Sequence, residues 1–111
     1  MSELAQRKCV PCQGGTPPLL PEASRTLQSQ LGGGWQVQQN HHLEKTFAFP
    51  DFVSALKFVN RAGEVAEAEG HHPDVFLAWG KVGFKIWTHK IDGLTESDFV
   101  LAAKIERLAE R

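Results

Sequence analysis

The sequence predicts an α+β fold, a single-domain two-layer sandwich in which a four-stranded antiparallel sheet carries three helices on one face, in the order α-β-β-α-β-β-α. Three observations carry this. Apolar residues recur at helical spacing in three stretches, they alternate with polar residues in four others, and the alternating stretches come in closely spaced pairs separated by the helical ones. The chain has 111 residues with 12 basic and 13 acidic side chains, a formal charge of −1, and a hydrophobic content of 41%. That length and composition fit one domain with one core.

Residues 1–20 contain Pro11, Gly14, Gly15, Pro17 and Pro18, a density of breakers that predicts a flexible N-terminal arm; residues 21–111 form the folded domain. Leu20, Ala23, Leu27 and Leu31 make one helical stripe, ended by Gly32–Gly34. WQVQQN from Trp35 and the run Leu43–Phe49 both alternate, so they read as a hairpin turning near Asn40 and His41. Pro50 and Asp51 suit the first turn of a second helix. Its expected packing stripe is Phe52, Leu56, Val59, Gly63 and Ala66, and Gly70 stops it.

Strands are expected from about Asp74 to Trp79 and from Val82 to His89, with Gly80 and Lys81 as a two-residue turn. That turn sets Trp79 opposite Val82, Leu77 opposite Phe84 and Val75 opposite Ile86. Carried outward, it sets His72 opposite His89. The last helix begins at Leu94-Thr95-Glu96-Ser97-Asp98-Phe99, where Thr95 serves as N-cap, Asp98 completes a capping box, and Leu94 and Phe99 form a hydrophobic staple. Leu101, Ile105 and Leu108 then supply its packing stripe.

Several function classes are disfavoured. The near-neutral charge lacks the basic footprint of a nucleic-acid binder. No apolar run approaches the roughly 18 residues of a membrane span, and the opening MSELAQRK lacks the apolar middle of a signal peptide. A cytoplasmic protein with neither membrane nor nucleic-acid partner is therefore expected. Cys9 and Cys12 have the spacing of half a zinc site or a redox pair, but no second pair accompanies them, which favours two thiols on an arm. His41 and His42 fall in a turn, where a solvated role is the default.

The chemistry resides in the remaining histidines. A single histidine is most often a structural or surface residue. Three imidazoles drawn from separate stretches, His71, His72 and His89, beside Glu67 and Asp98, are acid-base equipment, because an imidazole can donate or accept a proton near neutral pH. A metal site is the competing use. Adjacent residues in an extended chain point to opposite sides, so His71 and His72 would not readily share an ion, and no metal is expected.

Glu67-x-x-x-His71-His72-Pro73, Lys81-Val82, Thr88-His89 and Gly93-Leu94-Thr95-x-x-Asp98 together resemble the pterin-4a-carbinolamine dehydratase family, from about Trp35 to the C-terminus. The N-terminal Lys-Cys-Val-Pro-Cys-x-Gly-Gly is similar to bacterial members. The resemblance implies dehydration of a 4a-hydroxytetrahydropterin to the quinonoid dihydropterin, recycling the pterin of aromatic amino-acid hydroxylases without a cofactor. It implies catalytic His71, His72 and His89 and a pterin site including Glu67, Trp35, Pro73, Thr88 and Asp98. For Trp35 a core position is an equally good reading. The opposition of His72 and His89 favours them as the proton-transfer pair. The family also implies a homodimer or homotetramer. The alternatives are a pterin-binding protein of cofactor metabolism, molybdopterin included, with little dehydratase activity, and, ranked last, an interaction module with an exposed apolar face.

Overall fold

A computed structural model describes residues 3–9 and 17–109. The elements are α1 (Pro21–Leu31), β1 (Gln36–Gln38), β2 (His42–Ala48), α2 (Phe52–Glu69), β3 (Asp74–Ala78), β4 (Lys81–Ile86) and α3 (Glu96–Ala109), with 3-10 turns at Glu3–Gln6 and His89–Ile91. The order expected from the sequence is the order observed. All strand pairs are antiparallel and the sheet runs β1-β2-β4-β3, so two hairpins lie side by side with β2 and β4 in the middle. Among the described residues, no helix is long and apolar enough to cross a membrane.

Alternation along the strands sets the two faces. Leu43, Phe47, Val82, Phe84 and Ile86 are buried under the helices, whereas Thr46, Phe76 and Lys85 lie on the uncovered side. The centre of the core is aromatic. Phe58 of α2 sits 5.0 Å from Phe47 and 5.9 Å from Phe84, ring centre to ring centre. Fully burying a side chain of this size stabilises the fold by roughly 1.5–3 kcal/mol.

The packing stripe of α2 matches the expected one at Ala66 and partly at Val59, and differs at Phe52, Leu56 and Gly63. Ala55, Phe58, Ala62 and Ala66 face the core, while Phe52 and Leu56 are 42% and 39% exposed. The helix is apolar over a wider arc than one stripe, and the alanines form the side that lets it approach the sheet closely, with Phe58 as the one large insertion. Asp51 is the N-cap, its carboxylate accepting from Ser54 N at 2.8 Å. That hydrogen bond holds the Asp51 carboxyl below its ordinary range.

The second hairpin is displaced by two residues from the expected register. Leu77 pairs with Val82 and Val75 with Phe84, so the turn is Trp79-Gly80. Gly80 has φ +76°, the left-handed conformation a type II turn requires at its third position. A two-residue slip keeps every side chain on its face, which is why hydrophobic alternation could not distinguish the two registers. The β3–β4 ladder ends at the Asp74–Lys85 pair and β4 stops at Ile86, short of the expected His89, so His72 and His89 are not paired across it.

Part of the expected arm packs onto the domain. Leu4 and Ala5 are buried, Lys104 Nζ donates to Ala5 O at 3.0 Å, and Cys9 N donates to Glu69 Oε1 at 2.8 Å. The apolar Leu4-Ala5 pair ahead of the breakers supplies the surface that a reading based on Pro and Gly alone overlooks. Cys12, Pro11, Gly14 and Gly15 lie outside the described residues.

Candidate active site

The end of α2 delivers His71 to a fixed place. Gly70 adopts φ +66°, Gly70 N donates to Glu67 O at 3.2 Å and His71 N donates to Ala66 O at 3.2 Å, the pair of bonds that defines a Schellman stop. No atom would obstruct a Cβ on Gly70, so the requirement for glycine there is one of backbone angle alone. Gly70→Ala is expected to destabilise the fold by about 1 kcal/mol, read as a lowered urea midpoint at unchanged slope.

Asp98 organises the residues around it. Its carboxylate is fully buried, a placement tolerable only with its lone pairs satisfied. His71 Nε2 donates to Oδ1 at 2.5 Å; Thr88 Oγ1 and Thr95 N donate to Oδ2 at 2.9 and 2.8 Å. The Thr95 bond is the capping box read from the sequence, since the side chain at the third helical position reaches back to the N-cap amide. Thr88 spends its one hydrogen on Asp98, so the 3.0 Å contact between the two threonine hydroxyls has Thr95 donating. The capping carboxylate thus also holds an imidazole. With Nε2 committed to Asp98, Nδ1 of His71 is the ring atom left to exchange a proton.

The other two histidines lie at the surface. His72 Nε2 donates to Glu67 Oε1 at 2.9 Å, with the His72 and Glu67 side chains 60% and 82% exposed. This pairing spans the helix stop, from the last turn of α2 to the residue before Pro73. His89 opens the 3-10 turn that follows Thr88, and its exposed ring meets the Trp87 indole edge-on at 4.3 Å. The structure therefore joins His71, Asp98 and Thr88 directly, brings Glu67 to His72, and attaches His89 to the group through its neighbour Thr88. Pro73 follows His72 and is half-buried.

Trp35 stands apart from this group, in the core. It is 2% exposed, packs against Phe47 and Phe84 with ring centres at 6.0 and 6.4 Å, and donates its indole N–H to Glu106 Oε1 at 3.0 Å. Gly32, Gly33 and Gly34, all at positive φ, form the turn ahead of it. Lys45 completes this structural network by donating to Glu106 at 2.6 Å and to Gly33 O.

Sequence reasoning passed over two features near the site. Thr95 contributes its hydroxyl to the Asp98 network as well as its amide. His41 and His42 flank Trp87, with ring centres at 5.3 and 6.0 Å. The pairing of Leu43 with Ile86 explains that neighbourhood, since the next positions along the two strands are His42 and Trp87. Among the described residues, no three His, Cys, Asp or Glu side chains converge to hold a metal ion. Burial, and secondarily the Glu69 carboxylate, pushes the Cys9 thiol up to about 12, so at neutral pH this sulfur is a protonated packing group, 3.5 Å from Ser97 O.

The family profile described as "Pterin 4 alpha carbinolamine dehydratase" matches residues 17–108. A protein of Rubrobacter xylanophilus provisionally named pterin-4-alpha-carbinolamine dehydratase is 56% identical, over 97% of this chain and all of its own length. A counterpart from Alkaliphilus metalliredigens, named in the same way, is 52% identical over 96% of each chain. The crystal structure of a "transcriptional coactivator/pterin dehydratase" from Brucella melitensis superposes with a TM-score of 0.77 at 32% identity, covering 83% of this chain and 98% of that one. A pterin dehydratase-like protein described as a RuBisCO assembly factor of the alpha-carboxysome shares the fold, with a TM-score of 0.59 at 23% identity over 68% of this chain and 88% of its own. The chain belongs to the pterin 4 alpha carbinolamine dehydratase family.

Proposed function

We propose that this protein dehydrates a 4a-hydroxytetrahydropterin to the quinonoid dihydropterin, with His71, His72 and His89 managing the protons. The observation that carries the reading is the buried Asp98 carboxylate hydrogen-bonded to His71 at 2.5 Å, in a chain of this family. In the reaction the N5–H proton leaves, the N5 electron pair forms the C4a–N5 double bond, and the C4a–O bond breaks to release water. Hydroxide is a poor leaving group, so a donor at the 4a-hydroxyl and an acceptor at N5 share the work.

The case for His72 and His89 as a directly opposed pair fell with the register that suggested it. His71 suits the acceptor role, because Asp98 behind it stabilises the imidazolium formed when Nδ1 takes a proton. His72 and His89 are left to protonate the departing hydroxyl and hold the ring, with Glu67 orienting His72. Thr88 fixes Asp98. The test is the decay of the carbinolamine, generated by a phenylalanine hydroxylase and followed by ultraviolet absorbance. Addition of this protein is expected to accelerate it. An unchanged decay together with tight pterin binding would establish the binding-protein reading instead.

The active form is proposed to be a homodimer or homotetramer. β3 is an edge strand carrying Phe76 at 63% exposure, next to Trp79 at 70%. An apolar edge of this kind invites pairing with another copy. Sedimentation equilibrium is expected to give a multiple of the 12.3 kDa chain mass, lowered by the double substitution Phe76→Lys, Trp79→Lys. A monomer at tens of micromolar would contradict this.

A further inference from the structure

We infer that Trp87 is a positioning residue for His89, and that the first hairpin turn, through His41 and His42, holds the indole in that role. The inference rests on the dehydratase reading for its kinetic consequence and on geometry for the rest. Trp87 lies just beyond β4, half-buried, one residue before Thr88. It packs against the core, and its ring meets three imidazoles, those of His41, His42 and His89.

The backbone around His89 is closed by short-range bonds. Thr88 N donates to Gly93 O at 2.9 Å, and Asp92, itself at φ +53°, donates from N to His89 O at 3.2 Å. These bonds fix the Cα of His89 and leave the exposed ring free to choose a rotamer. The indole supplies the choice: the rings meet at 4.3 Å with their planes 86° apart, the edge-to-face arrangement aromatic groups favour. An interaction of that class biases a rotamer equilibrium by roughly three- to tenfold.

The indole also meets the first hairpin turn at His41 and the start of β2 at His42. His41 lies 5.3 Å from it, donates from Nε2 to Asp92 Oδ1 at 2.7 Å, and shares a hydrogen between its Nδ1 and that of His42 at 3.1 Å. The His41–Asp92 bond therefore spans from the first hairpin turn to the loop that presents His89. Since that pair is exposed, most of the restraint on His89 comes from the ring contact and less from the charge.

The test combines spectroscopy and kinetics on the full chain. In the resting protein, Trp87→Ala is expected to remove a ring-current shift from the His89 carbon-bound imidazole protons while leaving circular dichroism intact. The same change is expected to lower kcat three- to tenfold with KM within twofold, and Trp87→Phe, which keeps an aromatic edge contact, to recover most of the loss. In a His89→Ala background the Trp87 substitution is expected to cost no further activity, because its effect passes through His89. Unmoved His89 resonances, or a Trp87→Ala loss that multiplies in full with that of His89→Ala, would overturn the inference. If Trp87→Ala does not fold, Trp87→Leu, which retains much of the volume without the ring, replaces it in every arm. Should the wild-type chain lack dehydratase activity, that reading falls separately, and the resting-state shift still decides whether Trp87 sets the His89 ring.

Discussion

Exchanging Asp98 for asparagine is expected to lower kcat for carbinolamine dehydration by about 10²–10⁴ while the chain remains folded. Thr88 Oγ1 and Thr95 N both donate to Oδ2, so the amide oxygen must occupy that position. The amide NH₂ then faces His71 Nε2, which turns from donor to acceptor and forces the ring hydrogen onto Nδ1. The atom assigned to receive the N5 proton is thereby blocked, and no anion remains to stabilise the imidazolium. Asp98→Ala is expected to act differently. It leaves Thr88, Thr95 N and His71 without their shared acceptor in a buried place, at about 1–3 kcal/mol for each unsatisfied group. A urea melt separates the two: a small shift for asparagine, a loss of several kcal/mol for alanine. Equal stability losses, with activity tracking the folded fraction, would reduce Asp98 to a helix cap.

His72→Ala and His89→Ala are each expected to cost about 10²-fold in kcat at nearly unchanged stability. Both side chains are exposed, so neither removal opens a cavity or strands a buried partner. Their measured effect is therefore a readout of chemistry. Circular dichroism and the thermal midpoint check the first half of this expectation, and initial rates of carbinolamine decay the second. Near-normal turnover in either variant would withdraw that residue from proton transfer. Glu67→Gln, which keeps a hydrogen-bond acceptor for His72, is expected to cost less than either.

Much of this could be read from residue order because its causes are local. The Thr95-x-x-Asp98 box, the Gly70 stop and the strand alternation each depend on neighbours within a few positions, and each appears where the sequence puts it. The features that escaped depend on distant neighbours. The Gly80-Lys81 and Trp79-Gly80 turns, one position apart, give registers two residues apart that bury the same side chains, and Gly80 can take its positive φ in either; the pairing of Ala78 with Lys81 selects the second, and the choice carries the His72 and His89 opposition with it. The apolar surface of α2 is broad enough for two stripes, and the approach of the sheet selects the one with alanines. β2 lies against β4 rather than against its neighbour in sequence alone, and that contact brings His42 to Trp87. Even so, Asp98, His71 and Thr88 converge, because a capping carboxylate at the third position of α3 reaches both the loop behind it and the end of α2.

The most direct test of imidazole-borne proton transfer is carbinolamine decay in the presence of the triple variant His71→Ala, His72→Ala, His89→Ala, shown to be folded by circular dichroism. The expected rate is that of the solution without protein, against a marked acceleration by the wild-type chain. A folded triple variant retaining a tenth or more of wild-type turnover would contradict the account.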